Sequence, residues 1–307
     1  MLTESHPYFF IPGHAELEAT AYAFRTGGTI HQRVAALGAA GLLAQRDTRS
    51  LAVIRRHLAY QDPLTDLAFI IQELGCVPAA RRGEQIVVFG LTEPNAGSDV
   101  RGVETVAVPD PSGAPDAYRL TGEKCFISNA PDADLAVVFA KLAGSVAAFF
   151  VAKPTTTAQA VAAHSIGRIH LKDTPATLLS AKGFALAFQT LERARPSVGA
   201  AAVGIAARAL DETVAHLKQR QQFGAQLANL PVVRHRLAEM AIELEVATLA
   251  TLHACWKRDS AGPNDRTGYT SAVGKVVATE AAQRVVDQAV QLHGAIGVEE
   301  GSVIEGL

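Results

Sequence analysis

One stretch constrains this chain more than any other. Between Phe89 and Ala130, two short segments of similar design flank a gap marked by Pro and Gly. The run Ile86-Val87-Val88-Phe89 is apolar, β-branched and too short for a helix, so it predicts a buried strand. It leads into Gly90-Leu91-Thr92-Glu93-Pro94 and Asn95-Ala96-Gly97-Ser98, where turn chemistry is strong and small residues let the backbone approach a ligand closely. The second segment predicts a strand at Cys125-Phe126-Ile127 that delivers Ser128 and Asn129 to a loop. Two strand ends that each present backbone N–H groups and a hydroxyl suit a planar heterocycle with several acceptors. The hydroxyls are Thr92 and Ser98 on one side and Ser128 on the other.

The rest of the chain sets the frame. A length of 307 residues allows two or three cores, because single cores rarely grow past about 250 residues. A net charge of −2 gives no basic face for nucleic acid or for an anionic membrane. No apolar run reaches the roughly 20 residues of a membrane span. The N-terminus lacks a basic region followed by an apolar one, so a cytoplasmic address is the expectation. Cys76, Cys125 and Cys255 are odd in number and scattered, without the spacing of a zinc site or a disulfide framework. Cys125 reads as a small buried apolar residue. His164, His170, His216, His235 and His253 stand singly and read as surface or core residues.

Periodicity divides the chain into three regions, an α+β multidomain organisation. Residues 1–84 read as helices, with helical spacing over His31 to Leu43 and Ser50 to Tyr60 and a restart at Asp62-Pro63. Residues 85–183 carry short apolar runs at Val106–Val108, Tyr118–Leu120, Ala136–Phe139 and Ala147–Val151, punctuated by turn residues, which predicts a β-barrel or sandwich. Thr155–Thr157 reads as an exposed turn. Residues 184–307 read as an antiparallel helical bundle. Its expected faces are Val198, Ala202, Ile205, Ala209 and Leu217, then Leu237, Met240, Leu244, Ala247 and Trp256, then Val273, Val277, Ala281, Val285 and Val290. A loop is expected at Gly262-Pro263-Asn264.

The ordered pair Leu91-Thr92-Glu93-Pro94-Asn95-Ala96-Gly97-Ser98-Asp99 and Gly122-Glu123-Lys124-Cys125-Phe126-Ile127-Ser128-Asn129-Ala130 resembles the acyl-CoA dehydrogenase flavoprotein family. Three further blocks extend the resemblance. Arg195-Pro196-Ser197-Val198-Gly199 resembles the opening of that family's first C-terminal helix, Arg220-Gln221-Gln222-Phe223-Gly224 its turn, and Gln291-Leu292-His293-Gly294-Ala295-Ile296-Gly297 its late glycine motif. The resemblance implies FAD as cofactor, α,β-dehydrogenation of an acyl-CoA or other acyl thioester, and an electron-transfer flavoprotein as the partner that takes the electrons. It also implies a homo-oligomer, dimer or tetramer. Against this family the N-terminal region is shortened, with only CVPAARRGE where another helix is expected between Gly75 and Gln85.

Roles follow by matching position. Thr92 is expected to hydrogen-bond the flavin ring, with Phe89, Gly90 and Leu91 lending backbone. Ser98 is expected near the pyrophosphate or the pantetheine arm of the substrate. Phe126 is expected against one face of the ring and Ser128 at its edge, with Ile127 between them. Arg220, Gln222 and Phe223 match the turn that reaches the FAD of a partner subunit; the planar guanidinium suits a diphosphate. Gln291 and Gly294 match the late motif, and Glu192 and Arg195 match positions that meet the CoA portion, with a salt bridge between helix residues as the plainer alternative. Pro231 stands near where relatives place a glutamine and can donate no backbone hydrogen bond.

The catalytic carboxylate is the gap in this reading. The resemblance places it beyond Leu307, and the chain reads as truncated there; Glu305-Gly306 imitates the expected dipeptide but comes too early. At the alternative position, the start of the first C-terminal helix, stands Ala194. Three readings stay open: an acyl-CoA dehydrogenase, a catalytically silent flavin-binding subunit of a mixed oligomer, or a related flavin oxidase or monooxygenase.

Overall fold

A computed structural model describes residues 1–45, 47–75, 78–160, 165–262 and 265–307. Cys76, His164 and the Pro263-Asn264 part of the expected loop lie outside the described residues. The helices are α1 (Leu2–Ser5), α2 (Gly13–Ala23), α3 (Ile30–Ala39), α4 (Thr48–Gln61), α5 (Pro63–Gly75), α6 (Pro78–Arg81), α7 (Gly183–Gln219), α8 (Pro231–Asp259) and α9 (Gly268–His293). The strands are β1 (Val87–Gly90), β2 (Val106–Pro109), β3 (Ala117–Ser128), β4 (Leu135–Leu142), β5 (Ser145–Ala152), β6 (Thr155–Ala158) and β7 (Ile166–Ser180), followed by a small hairpin, β8 (Gln221–Gln222) and β9 (Ala225–Gln226). Two compact units result: Met1–Arg25, Gln45–Asp66 and Glu192–Leu307 form a helical unit, and Thr26–Ala44 with Leu67–Leu191 form a β-rich unit.

In the β-rich unit the ladder runs from β4 through β2, β3 and β7 to β5, and β5 pairs back with β4. Five strands thus close a ring, the expected barrel. β1 extends it in parallel from β4, Phe89 opposite Val137, and β6 extends it from β7. Ala136 to Ala140 of β4 are all buried, because a strand covered on both faces carries a continuous apolar run rather than an alternation. The core gathers Val87, Val137, Phe139, Val146 and Ala148, with the Phe89 ring centred 4.9 Å from that of Phe139.

Thr155–Thr157 is not a turn. It is strand β6, antiparallel to β7 with Thr156 opposite Ile169. Three β-branched residues beside a long partner strand gain an edge ladder while their side chains stay largely exposed. Among the described residues between Gly75 and Gln85 stands the single turn α6.

The helical unit is built from small residues. α7 begins at Gly183, twelve residues before the expected opening at Arg195, and runs through Pro196. Proline inside a helix deprives the carbonyl four residues earlier of its donor. Ser197 Oγ, next along the helix, donates to the Ala194 carbonyl at 2.7 Å, not to the Glu192 carbonyl that Pro196 leaves without its usual donor. The bundle core is Ala202, Val203, Ala206, Ala209, Met240, Ala247, Ala278, Ala281, Ala282, Val285 and Ala289. At Gly274 an added Cβ would stand 2.8 Å from the Ala254 methyl, so α9 lies almost against α8 there. Two expected faces need correction for this reason. Trp256 and Val273 are exposed, while Ala281 and Val285 are buried as expected and Cys255, Ser271 and Gly274 are buried with them; close packing selects the small residue over the large apolar one. Cys125 is buried as expected, and burial raises its thiol. No helix among the described residues is long and apolar enough to cross a membrane.

Candidate active site

The rim of the β-rich unit is assembled where β1 ends. Glu93 N donates to the Ala96 carbonyl at 3.0 Å, and Ala96 N donates back to the Glu93 carbonyl at 3.2 Å, which closes the turn. Cys125 N donates to the Thr92 carbonyl at 3.0 Å. The two segments singled out from the sequence are therefore joined backbone to backbone at Thr92 and Cys125, three residues before Ser128 ends β3. Beneath them lies an ion pair. Lys124 is fully buried and Glu93 nearly so, with Lys124 Nζ 2.6 Å from Glu93 Oε1 and 3.3 Å from the Leu91 carbonyl. The same carboxylate accepts from Thr105 N at 3.0 Å, from Thr105 Oγ1 at 2.5 Å and from Glu104 N. Burial alone would raise the Glu93 carboxyl; these donors outweigh it and hold it below the usual range. Burial pulls Lys124 down, and the Glu93 charge opposes that pull.

Phe126 departs from its strand. The register of β3 against β7 shifts between Lys124 and Ile127, and Phe126 sits at φ 56°, a left-handed conformation that bulky side chains rarely adopt. Strict alternation would put Lys124 and Phe126 on one face. The bulge separates them instead: Lys124 points in, and the Phe126 ring is 55% exposed while Cys125 and Ile127 stay buried. Phe126 N donates to Gln159 Oε1 at 2.7 Å, which pins the bulge from below. The hydroxyls of Thr92, Ser98 and Ser128 make no hydrogen bond among the described residues, and the first and last are half-buried. An exposed aromatic face held in a strained conformation, with uncommitted hydroxyls on the neighbouring loop ends, fits a flavin ring. Phe89, Gly90, Leu91 and Ile127 pack into the unit, leaving only their backbone to offer.

In the helical unit the Arg220 to Gly224 block forms the β8–β9 hairpin. Phe223 at φ 57° and Gly224 at φ 77° give it a two-residue turn with both centres left-handed. Phe223 is 90% exposed at its tip. Gln222 and Arg220 are exposed beside it, and neither side chain has a hydrogen-bonding partner among the described residues. The hairpin base meets the late motif: the His216 ring stacks on that of His293 with centroids 4.5 Å apart. Burial, His293 and Arg220 all push His216 down. Gln291 is exposed, and Gly294 at φ 64° and ψ −142° ends α9 in a conformation open to glycine alone.

Glu192 and Arg195 pair with each other, one turn apart on α7. Their plainer alternative is what the fold contains. Ala194 is buried without a proton acceptor, Pro231 starts α8 where its missing N–H costs nothing, and Glu305 is exposed. Glu93, Lys124, Gln159 and the stacked histidines are the residues that sequence reading passed over. Glu93 and Lys124 lie inside the two motifs, and the only available signal was a lysine within an otherwise apolar strand end.

Comparison with known proteins bears on both units. The family model described as the acyl-CoA dehydrogenase middle domain matches residues 88–174, and that described as the acyl-CoA dehydrogenase C-terminal domain matches residues 181–307. The acryloyl-CoA reductase (NADH) of Anaerotignum propionicum is 32% identical over 289 residues, covering 88% of this chain and 71% of that protein. The short-chain specific acyl-CoA dehydrogenase of Megasphaera elsdenii is 34% identical over 236 residues, 71% of this chain and 60% of the relative. The probable acyl-CoA dehydrogenase YngJ of Bacillus subtilis is 36% identical, and there too the match spans 60% of the relative's length. Among solved structures, butyryl-CoA dehydrogenase from Megasphaera elsdenii superposes with a TM-score of 0.84 at 25% identity, over 97% of this chain and 92% of that one.

Proposed function

Because the chain belongs to the acyl-CoA dehydrogenase family, we propose that it is an FAD-dependent oxidoreductase acting on the α,β-bond of an acyl-CoA, with an electron-transfer flavoprotein as its redox partner. When bound, the flavin supplies the two-electron acceptor for the hydrogen that leaves the β-carbon as hydride. The observation that carries the reading is the Phe126 bulge beside Thr92. The bulge presents a rigid aromatic face to the ring, while Thr92 and Ser128 offer hydroxyls at its edge. The buried Glu93–Lys124 pair fixes that geometry without placing a charge on the rim. Ser98 lies on the exposed continuation of the same loop, suited to the pantetheine arm or its phosphates. Arg220, Gln222 and Phe223 reach the flavin of a second copy, with Gln291 and Gly294 beside them through the histidine stack, so a homo-oligomer is part of the reading.

Relatives carry names of both directions, dehydrogenase and reductase. A second reading, a flavin-binding subunit that performs no chemistry alone, is favoured by one observation. Ala194 carries no proton acceptor, and the nearest carboxylate on that helix, Glu192, is tied to Arg195. The visible spectrum of the purified protein tests both. Anaerobic bleaching of a yellow protein by an acyl-CoA supports the oxidoreductase, and a flavin band indifferent to acyl-CoA and enoyl-CoA supports the silent subunit. A colourless protein that takes up no added FAD contradicts both.

A further inference from the structure

A cleft of about 440 Å³ opens in the β-rich unit beside the β4–β5 turn, with Arg101, Gly144, Ser145, Lys182 and Phe184 on its walls. No carboxylate lines it. The side chains of Arg101 and Lys182 form no ion pair among the described residues; the Asp99 carboxylate nearby is engaged by Arg101 N at 3.1 Å. Arg101 is also held in place. Its guanidinium carbon lies 4.8 Å over the Phe184 ring, which stacks in turn on Phe188 with centroids 6.4 Å apart. Stacking engages the face of the guanidinium and leaves its donor edge free, the edge that binds phosphate oxygens in pairs. The β4–β5 turn at the cleft is a two-residue connection, with Ala143 at φ 47° and Gly144 at φ 82°, and Ser145 follows it on the wall.

We propose that this cleft binds the diphosphate of a small organic phosphate, with Arg101 and Lys182 as the cations that recognise it and the apolar wall at Phe184 for the organic part. Cavities of this size suit a ligand larger than a bare phosphate ion. The same chemistry has two sources. One is the nucleotide end of the acyl-CoA itself, since Ser98 is three residues before Arg101; this source rests on the function proposed above. The other is a free nucleotide diphosphate.

Calorimetric titration of the protein as purified tests the site, using 3′-phospho-ADP, ADP and adenosine as probes. Both phosphates are expected to bind, and adenosine is not. Arg101→Ala and Lys182→Ala should each weaken binding roughly tenfold, and the double variant should abolish it at an unchanged melting temperature, because both side chains are exposed. Affinity should also fall with added salt. Competition between 3′-phospho-ADP and an acyl-CoA assigns the cleft to the substrate, and independent binding assigns it to a free nucleotide. Adenosine binding as tightly as ADP, neither phosphate binding, or binding indifferent to the double variant would each overturn the proposal. The heat of binding is read without the flavin band, so failure of the dehydrogenase reading leaves the result interpretable.

Discussion

Lys124 Nζ lies 2.6 Å from Glu93 Oε1 beneath the rim of the β-rich unit, and it is this pair that turns two separate sequence motifs into one surface. Removing one partner strands a buried charge, at a cost of about 3–5 kcal/mol. Lys124→Met should therefore destabilise the protein strongly and cost it flavin. Lys124→Met combined with Glu93→Gln should recover much of the stability. Urea unfolding of the two variants decides the matter: a single variant as stable as the parent would show that the pair does not hold the rim.

Acid should unfold the helical unit through Glu18. This side chain is fully buried and accepts from Leu2 N at 2.6 Å, Thr3 N at 2.8 Å, Thr3 Oγ1 at 2.6 Å and His57 Nε2 at 2.6 Å. Burial would raise its carboxyl, but these bonds prevail and bring it from 4.5 down to about 2. A carboxyl lowered on folding contributes stability that is complete above the unfolded value and is lost as the pH falls through the folded one. The contribution is about 3 kcal/mol, disappearing between pH 4.5 and 2. Melting temperature against pH should fall over that window in the parent and fall less steeply in Glu18→Gln, which starts lower at neutral pH.

Phe126→Gly separates strain from function. Glycine adopts φ 56° freely, so the variant should stabilise the flavin-free protein by about 1 kcal/mol. It should also retain less FAD, because the exposed ring is gone. Melting of apoprotein and flavin content after gel filtration measure the two effects. Destabilisation together with unchanged flavin content would contradict the assigned role.

Much of this architecture was legible in the sequence, and the exceptions share a cause. Short apolar runs bounded by turn residues give the barrel strands because that signal is local, and the Arg220 to Gly224 block is placed as a turn by its resemblance to the family's own. What stayed hidden depends on partners distant in sequence. Thr156 becomes a strand residue only because Ile169 lies beside it. Lys124 turns inward because Glu93 awaits it, and the bulge that releases Phe126 to the other side breaks the alternation a strand reader relies on. α7 continues through Pro196, where a proline read alone suggests a helix boundary. On α9 the buried face takes in Gly274 and Ala278 along with the expected Ala281 and Val285, while Val273 is exposed, since hydrophobicity alone does not reveal how closely a neighbour will approach.

That closeness is itself testable. A Cβ at Gly274 would meet the Ala254 methyl at 2.8 Å and the Ala250 carbonyl oxygen at 3.1 Å, neither of which belongs to a flexible side-chain end. Gly274→Val should cost at least the roughly 1–3 kcal/mol of core overpacking, whereas Val276→Ala, at an exposed position on the same helix, should change stability by less than about 0.5 kcal/mol. Equal effects in thermal unfolding would mean that the two helices are not packed as described.

The central claim, that the two hydroxyl-bearing loop ends of the β-rich unit hold a flavin ring, is tested most directly by the FAD retained per chain after purification. The parent protein should carry the cofactor, and Thr92→Val with Ser128→Ala should lose most of it while melting as the apoprotein does. A parent that neither retains nor takes up FAD, or a double variant that retains it undiminished, would contradict the account.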